Sequence, residues 1–234
     1  RTKFARRSAQ RMRLEMTQNT SHAVMAQRNE AKDSLDDFPT PPWATRALIE
    51  HVIGVDRVRG QLCWEPAANR RFMARPLQDY FKIVMESDIH DYGQRNVMDF
   101  LAVDVKNSFR GVNWIITNPP FNKAQQFIEK AQKISNDGVA MLVRTSFLES
   151  VMRYQTMFMH NAPDIVAQFS ERVPMVKGRC DPKASTATSY AWLVWYIDGI
   201  GVADKKTILT WIPPCRKQLE REGDYEPSRL LHGG

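Results

Sequence analysis

Residues 111–144 read "GVNWIITNPPFNKAQQFIEKAQKISNDGVAMLVR", and this stretch limits the possible folds more than any other. It opens on a short apolar run with strand character. Two consecutive prolines then remove backbone donors and stop any sheet. A clean helical pattern follows, with Ala124, Phe127, Ile128, Ala131 and Ile134 on one face, before a second short apolar run. A strand, a helix and a strand in succession predict a parallel pair joined by a crossover.

The same alternation runs through the chain. Strand-like runs at 61–66, 82–89, 95–103, 111–118, 138–144 and 164–170 are separated by amphipathic stretches such as "ATRALIEHVIG" and "SFLESVMRYQTMFMH". This predicts an α/β fold with a mainly parallel sheet covered on both faces. The last third changes character. "TSYAWLVWYI" (188–197) and "KTILTWI" (206–212) have no long helix between them, which predicts an antiparallel hairpin closing the sheet. Trp192 and Trp195, at strand spacing, are expected in the core.

Composition narrows the class. No apolar run approaches the ~20 residues of a membrane span, and no signal-peptide pattern opens the chain, so a cytoplasmic protein is expected. Three widely spaced cysteines form neither a disulfide framework nor a metal-binding cluster, so no metal is expected. Six of the seven net positive charges fall in "RTKFARRSAQRMR", residues 1–13, which carries no acid. Such an arm can neutralise nucleic-acid phosphates, or it can be a solvated tail. The chain therefore divides into a basic, polar and partly mobile arm (1–37), one α/β domain (38–215) and a polar C-terminal tail (216–234).

In open parallel sheets, ligands bind outside the carboxyl ends of the strands. The first two such ends read "WEPAANRRFMA" and "MESDIHDY", and the next two "VMDFL" and "ITNPPF". Asp88 and Asp99 are placed to accept hydrogen bonds from a ribose hydroxyl or an adenine amine, or to terminate strands as turn residues. His90 reads as a turn or pocket-edge residue. In "NPPF", two prolines stiffen the backbone from Asn118 to Pro120. The side-chain oxygen of Asn118 and the nearby carbonyls form a fixed pair of acceptors, which suits an NH₂ group. Phe121 adds a face on which a planar base can stack, worth ~1–3 kcal/mol.

"TNPPF" is similar to the catalytic motif of S-adenosylmethionine-dependent amino-group methyltransferases. Other stretches match that family in order. "DFPTPPWATRAL" resembles its N-terminal cofactor segment, "WEPAANRRFMA" its first-strand motif, "ESDIHDYG" its second and "MDFL" its third. "LVRTSFLES" and "VPMVKGRCDPKASTATSYAWLVW" resemble phage-type DNA N6-adenine methyltransferases. The resemblance implies a Rossmann-like seven-stranded sheet and S-adenosylmethionine as cofactor. It implies methyl transfer to the N6 amine of adenine in DNA, with Asn118, Pro119, Pro120 and Phe121 holding the base. It assigns the cofactor to Thr40, Pro41, Glu65, Ala67, Asn69, Asp88, Ile89, Asp99 and Phe100. Lys177, Arg179 and Lys183 fall where DNA would approach, and three cations in a loop suit phosphates.

Two departures bear on activity. Where the family shows G-x-G after "EPAA", this chain has Asn69-Arg70-Arg71. Glycine serves there for positive φ and close approach to ligand, and Asn is its mildest replacement. Arg71 either turns aside, with the option of pairing with the cofactor carboxylate, or fills the pocket. The second case would leave a catalytically silent nucleic-acid-binding protein. A further alternative keeps the chemistry but takes RNA adenine or protein glutamine as acceptor. No separate target-recognition domain is visible.

Overall fold

Burial along each apolar run decides where it lies in the sheet. The computed structural model describes residues 36–94, 96–104, 111–199 and 206–226. The folded unit begins at Asp36, and the rest of the expected basic arm lies outside the described residues. The strands are β1 (Leu62–Glu65), β2 (Ile83–Glu86), β3 (Trp114–Thr117), β4 (Gly138–Arg144), β5 (Ile165–Phe169), β6 (Tyr190–Tyr196) and β7 (Ile208–Ile212). They form one sheet in the order β2-β1-β3-β4-β6-β5-β7. Six run parallel, and β6 alone is reversed, paired antiparallel with both β4 and β5. This is the mainly parallel α/β sheet that the alternation predicts, with the seven strands and Rossmann-like form that the resemblance implies.

Alternate residues of the central strands feed two separate cores, as the twofold period of a strand requires. Trp114, Ile116, Ala140 and Leu142 pack on one side with helix α1 (Pro42–Leu48). A wide turn (Ile49–Ile53), the short α2 (Val55–Val58) and α3 (Ala74–Leu77) follow on in chain order. Ile115, Val139, Met141 and Val143 pack on the other side with α4 (Ala124–Ile134). The five apolar residues of α4 named from the sequence are its five buried ones. Gly138 opens β4 opposite Trp114, where a Cβ would lie 2.4 Å from the indole ring. Only glycine lets strand and ring approach that closely.

Two expectations are corrected. The run 95–103 forms no strand among the described residues. Only a parallel bridge between Asp88 and Val97 extends the end of β2, and the chain then turns so that Phe100 enters the core. The last two runs do not form a hairpin with one another. β6 is buried at its first six positions and matches β4 residue for residue, so it takes a central place. β7 is largely exposed, which suits an edge, and it pairs in parallel with β5. The antiparallel pairings are therefore those of β6 with β4 and with β5.

After β4 come α5 (Val151–Arg153) and α6 (Met159–Asn161), and α7 (Arg216–Leu219) follows β7. Residues 216–226, expected as part of a tail, pack onto α1. Arg46, 5% exposed, donates two hydrogen bonds to the Asp224 carboxylate at 2.7 and 2.8 Å and one to the Leu219 carbonyl. No helix among the described residues is long and apolar enough to cross a membrane.

Candidate active site in the β1–β3 crevice

The chain leaves β1 toward β2 on one side and returns to β3 on the other, so a crevice opens at the carboxyl ends of β1 and β3. Glu65 ends β1, and Asn118 follows directly on β3. Pro120 is extended (φ −51°, ψ 129°), and Phe121–Lys123 makes one tight turn into α4. The prolines thus hold the NPPF loop open across the crevice before the helix begins.

The Asn118 amide has a fixed orientation. Its Nδ2 donates to the carbonyl of Phe38 at 2.9 Å, with the Met175 sulfur 3.9 Å away. A carbonyl can only face the NH₂ end of an amide, so Oδ1 points the other way. That oxygen is buried and has no partner. Phe121 is gripped from three sides. Its N–H donates to the Asp36 carboxylate at 2.7 Å, and its ring lies 5.3 Å from that of Phe38. The Arg144 guanidinium sits 3.8 Å above the ring centroid.

Across the crevice, the loop after β1 adopts the geometry its missing glycines would have supplied. Asn69 (φ 47°) and Arg71 (φ 69°) are both left-handed. The Asn69 side chain accepts from Arg70 N at 2.6 Å, and its Nδ2 donates to Asp37 at 2.7 Å. Arg70 pairs with the same Asp37 carboxylate at 2.8 and 3.0 Å. Arg71 turns aside and makes a bidentate pair with Glu86 (2.5 and 2.8 Å). Of the two sequence readings, the side chain follows the first, but its partner is a protein carboxylate.

Acids crowd the ends of β1 and β2. Glu65 is 2% exposed and stands in register with Glu86. Burial pushes its carboxyl well above the usual range, Glu86 and Asp88 add to the shift, and a hydrogen bond from Ala74 N opposes it. Its Oε2 has no partner. Asp88 accepts from Asn69 N at 3.0 Å and His90 N at 2.9 Å, and burial raises its pKa too. Ile89, next in sequence, is 47% exposed.

The structure brings most of the expected site residues together through residues 36–38. Asp37 touches Asn69 and Arg70, while Phe38 touches Asn118 and Phe121. Thr40 is held nearby, its hydroxyl 3.7 Å from the same Met175 sulfur, and Pro41 precedes α1. Ala67 packs on the second core. Asp99 is an exposed turn residue accepting from Leu101 N at 2.9 Å. Phe100 is 1% exposed, between Trp64 (5.2 Å) and Phe127 (4.9 Å). Lys177, Arg179 and Lys183 are exposed, in a loop whose Gly178 N–H donates to Asp37 O at 2.8 Å. His90 is exposed, and Trp192 and Trp195 are fully buried.

Sequence reasoning missed Asp36, Asp37, Phe38, Arg144 and Met175. Two acids and an aromatic before "PTPP" were a signal, as was an arginine ending six buried residues of β4. A separate cleft of about 190 Å³ lies at the ends of β5 and β6, lined by residues such as Glu171, Arg172 and Tyr190. None of the expected site residues lines it.

No protein-family model matches the chain, and no curated protein matches it. Among solved structures it is similar to a candidate RNA methyltransferase from Pyrococcus horikoshii, at 16% identity over 75% of this chain and 96% of that one (TM-score 0.49). It is also similar to a predicted O-methyltransferase from Agrobacterium tumefaciens, at 10% identity over 74% and 86% (TM-score 0.45). A third is the magnesium protoporphyrin IX methyltransferase of Synechocystis, with bound SAM, at 10% identity over 66% and 78% (TM-score 0.44). Similarity at this level bears on no residue of the site.

Proposed function

We propose that this chain transfers a methyl group from S-adenosylmethionine to the N6 amine of adenine in DNA. The observation that carries the proposal is the Asn118 amide, whose nitrogen is engaged by Phe38 while its buried oxygen has no partner. A buried, unsatisfied acceptor costs ~1–3 kcal/mol, so its retention calls for a ligand donor. An exocyclic amine on a flat base supplies that donor, and Phe121 beside it supplies the stacking face. Holding the amine hydrogens in acceptors localises the nitrogen lone pair that is otherwise spread into the ring.

The other end of the crevice fits the cofactor by charge. S-adenosylmethionine carries an ammonium and a sulfonium against one carboxylate. Even with Glu65 protonated by its burial, Glu86 and Asp88 outnumber Arg71 there, so a net cation is favoured. Asp88 retains lone pairs for ribose hydroxyls, since a carboxylate has about four acceptor sites. Exposed Ile89 offers an apolar surface to the cofactor adenine. Thr40 and Pro41, beside Asn118, suit the methionine end, with Glu65, Ala67 and Asn69 forming the wall. Asp99 is assigned to the adenine amine of the cofactor and Phe100 to backing that wall through Trp64. Bound there, S-adenosylmethionine supplies an electrophilic methyl carbon. With Asn118 Oδ1 holding the amine, the N–C bond would form as the C–S bond breaks, and the amine would then lose its proton to solvent. Lys177, Arg179 and Lys183 meet the DNA phosphates.

The phenylalanine of the NPPF loop and the likeness of residues 173–195 to phage-type sequences favour DNA adenine over RNA or glutamine. A silent, nucleic-acid-binding relative is the second reading, favoured by the strained backbone at Asn69 and Arg71. The test is an acceptor panel with methyl-labelled S-adenosylmethionine: unmethylated DNA, RNA and a glutamine peptide. Label in DNA alone supports the proposal. Label in another acceptor redirects it, and nucleic-acid binding without transfer or cofactor binding selects the silent relative.

A further inference from the structure

Arg144 ends β4 with its guanidinium carbon 3.8 Å from the Phe121 ring centroid and 5.5 Å from that of Phe38. A guanidinium is flat and delocalised, and it covers an aromatic face much as a nucleobase does. Two planar groups cannot occupy one face of a ring. The stacked group is also incompletely satisfied. Tyr190 lies close to its head, and its Nε is buried without a partner. Neither Asp36 nor any other described carboxylate forms a salt bridge with it.

We propose that Arg144 is a further nucleic-acid-binding residue, which covers Phe121 in the free protein, yields that face to an entering base and then takes a backbone phosphate. The inference rests on the reading of Phe121 as the base platform. Base stacking is the stronger contact at a ring of this exposure, so the exchange runs in the base's favour. The displaced guanidinium needs an anion. A nucleotide whose base lies on Phe121 carries its own phosphates within reach of an arginine side chain, and the guanidinium fork matches phosphate oxygens in pairs. The Asp36 carboxylate, which could compete, is already engaged by Phe121 N. Tyr190 lies close to both Arg144 and Asp36 and carries no charge while its raised pKa keeps it protonated.

A labelled single-stranded oligodeoxyadenylate tests this, because its bases reach Phe121 without being flipped from a duplex. Affinity is measured against salt for the full chain and for Arg144→Gln and Arg144→Lys. The expected result is a salt slope shallower by about 0.7 for R144Q and restored in R144K. A wild-type slope in folded R144Q overturns the proposal, since Arg144 would then only back the ring. The unmodified protein gives an independent reading by nuclear magnetic resonance. The Arg144 Nε–H signal, shifted by the Phe121 ring current, should lose that shift when the oligonucleotide is added. A signal that keeps its ring-current shift at saturation also overturns the proposal. Binding with an unchanged slope removes this inference alone, whereas absence of any nucleic-acid binding removes the proposed function with it.

Discussion

The side-chain amide of Asn118 and the main-chain carbonyl of Phe38 hold each other at 2.9 Å across 80 residues of sequence. The contact orients the one group that the proposed chemistry cannot do without. It also ties the segment preceding α1 to the loop following β3.

Replacing Asn118 separates binding from chemistry. Asn118→Ala removes an acceptor aimed at the reacting amine and should lower the methyl-transfer rate by ~10²-fold or more. S-adenosylmethionine affinity, set at the ends of β1 and β2, should stay within about twofold, as titration calorimetry can establish. Asn118→Asp keeps an acceptor but turns an oxygen toward Phe38 O. It should therefore lose thermal stability as well as rate.

Arg71 is strained but paired. Arg71→Gly relieves a left-handed backbone worth ~1 kcal/mol, yet it leaves Glu86, 8% exposed, without its cation beside Glu65. We expect R71G to lower urea-unfolding stability by about 2 kcal/mol. R71G/E86Q should recover most of the loss. Equal stabilities for single and double variants would show that the unpaired Glu86 charge is not what destabilises R71G.

Much of the fold is legible in the sequence because it depends on periodicity. The stripe from Ala124 to Ile134 needs only a 3.6-residue repeat, and β3 and β4 need only short apolar runs. Strand partners are another matter. That β6 lies between β4 and β5, with β7 on the edge, depends on which runs are buried on both faces, and hairpin-like spacing misleads. In the site, the NPPF loop and the acids are local motifs. The hold of residues 36–38 on that loop, and Arg144 over Phe121, are contacts between distant segments, and the local signals at those positions do not reveal their partners.

Asp224 closes the C-terminal segment onto α1. Asp224→Ala leaves Arg46 in the interior with only the longer carboxylate contact to Asp79 (3.5 Å) and should cost about 2–3 kcal/mol, read as a lower urea midpoint. Nucleic-acid affinity of the folded variant should change little.

Glu65 should make stability fall as pH rises. Its folded pKa is raised by burial, so above the ordinary carboxyl range the folded state holds a proton that the unfolded state has lost. The stabilising difference is full at low pH and declines from about pH 4 up to the raised value. Glu65→Gln should flatten urea midpoints between pH 5 and 8, leaving a smaller residual slope of the same sign from Asp88. An unchanged pH profile in E65Q would place the titration elsewhere.

The most direct measurement is mass analysis of nucleosides from unmethylated DNA incubated with S-adenosylmethionine and either the wild-type chain or Asn118→Ala. N6-methyldeoxyadenosine from the wild type, falling by ~10²-fold with the variant, is the predicted result. Methylated cytosine, or no methylated nucleoside from a folded protein that binds the cofactor, would contradict it.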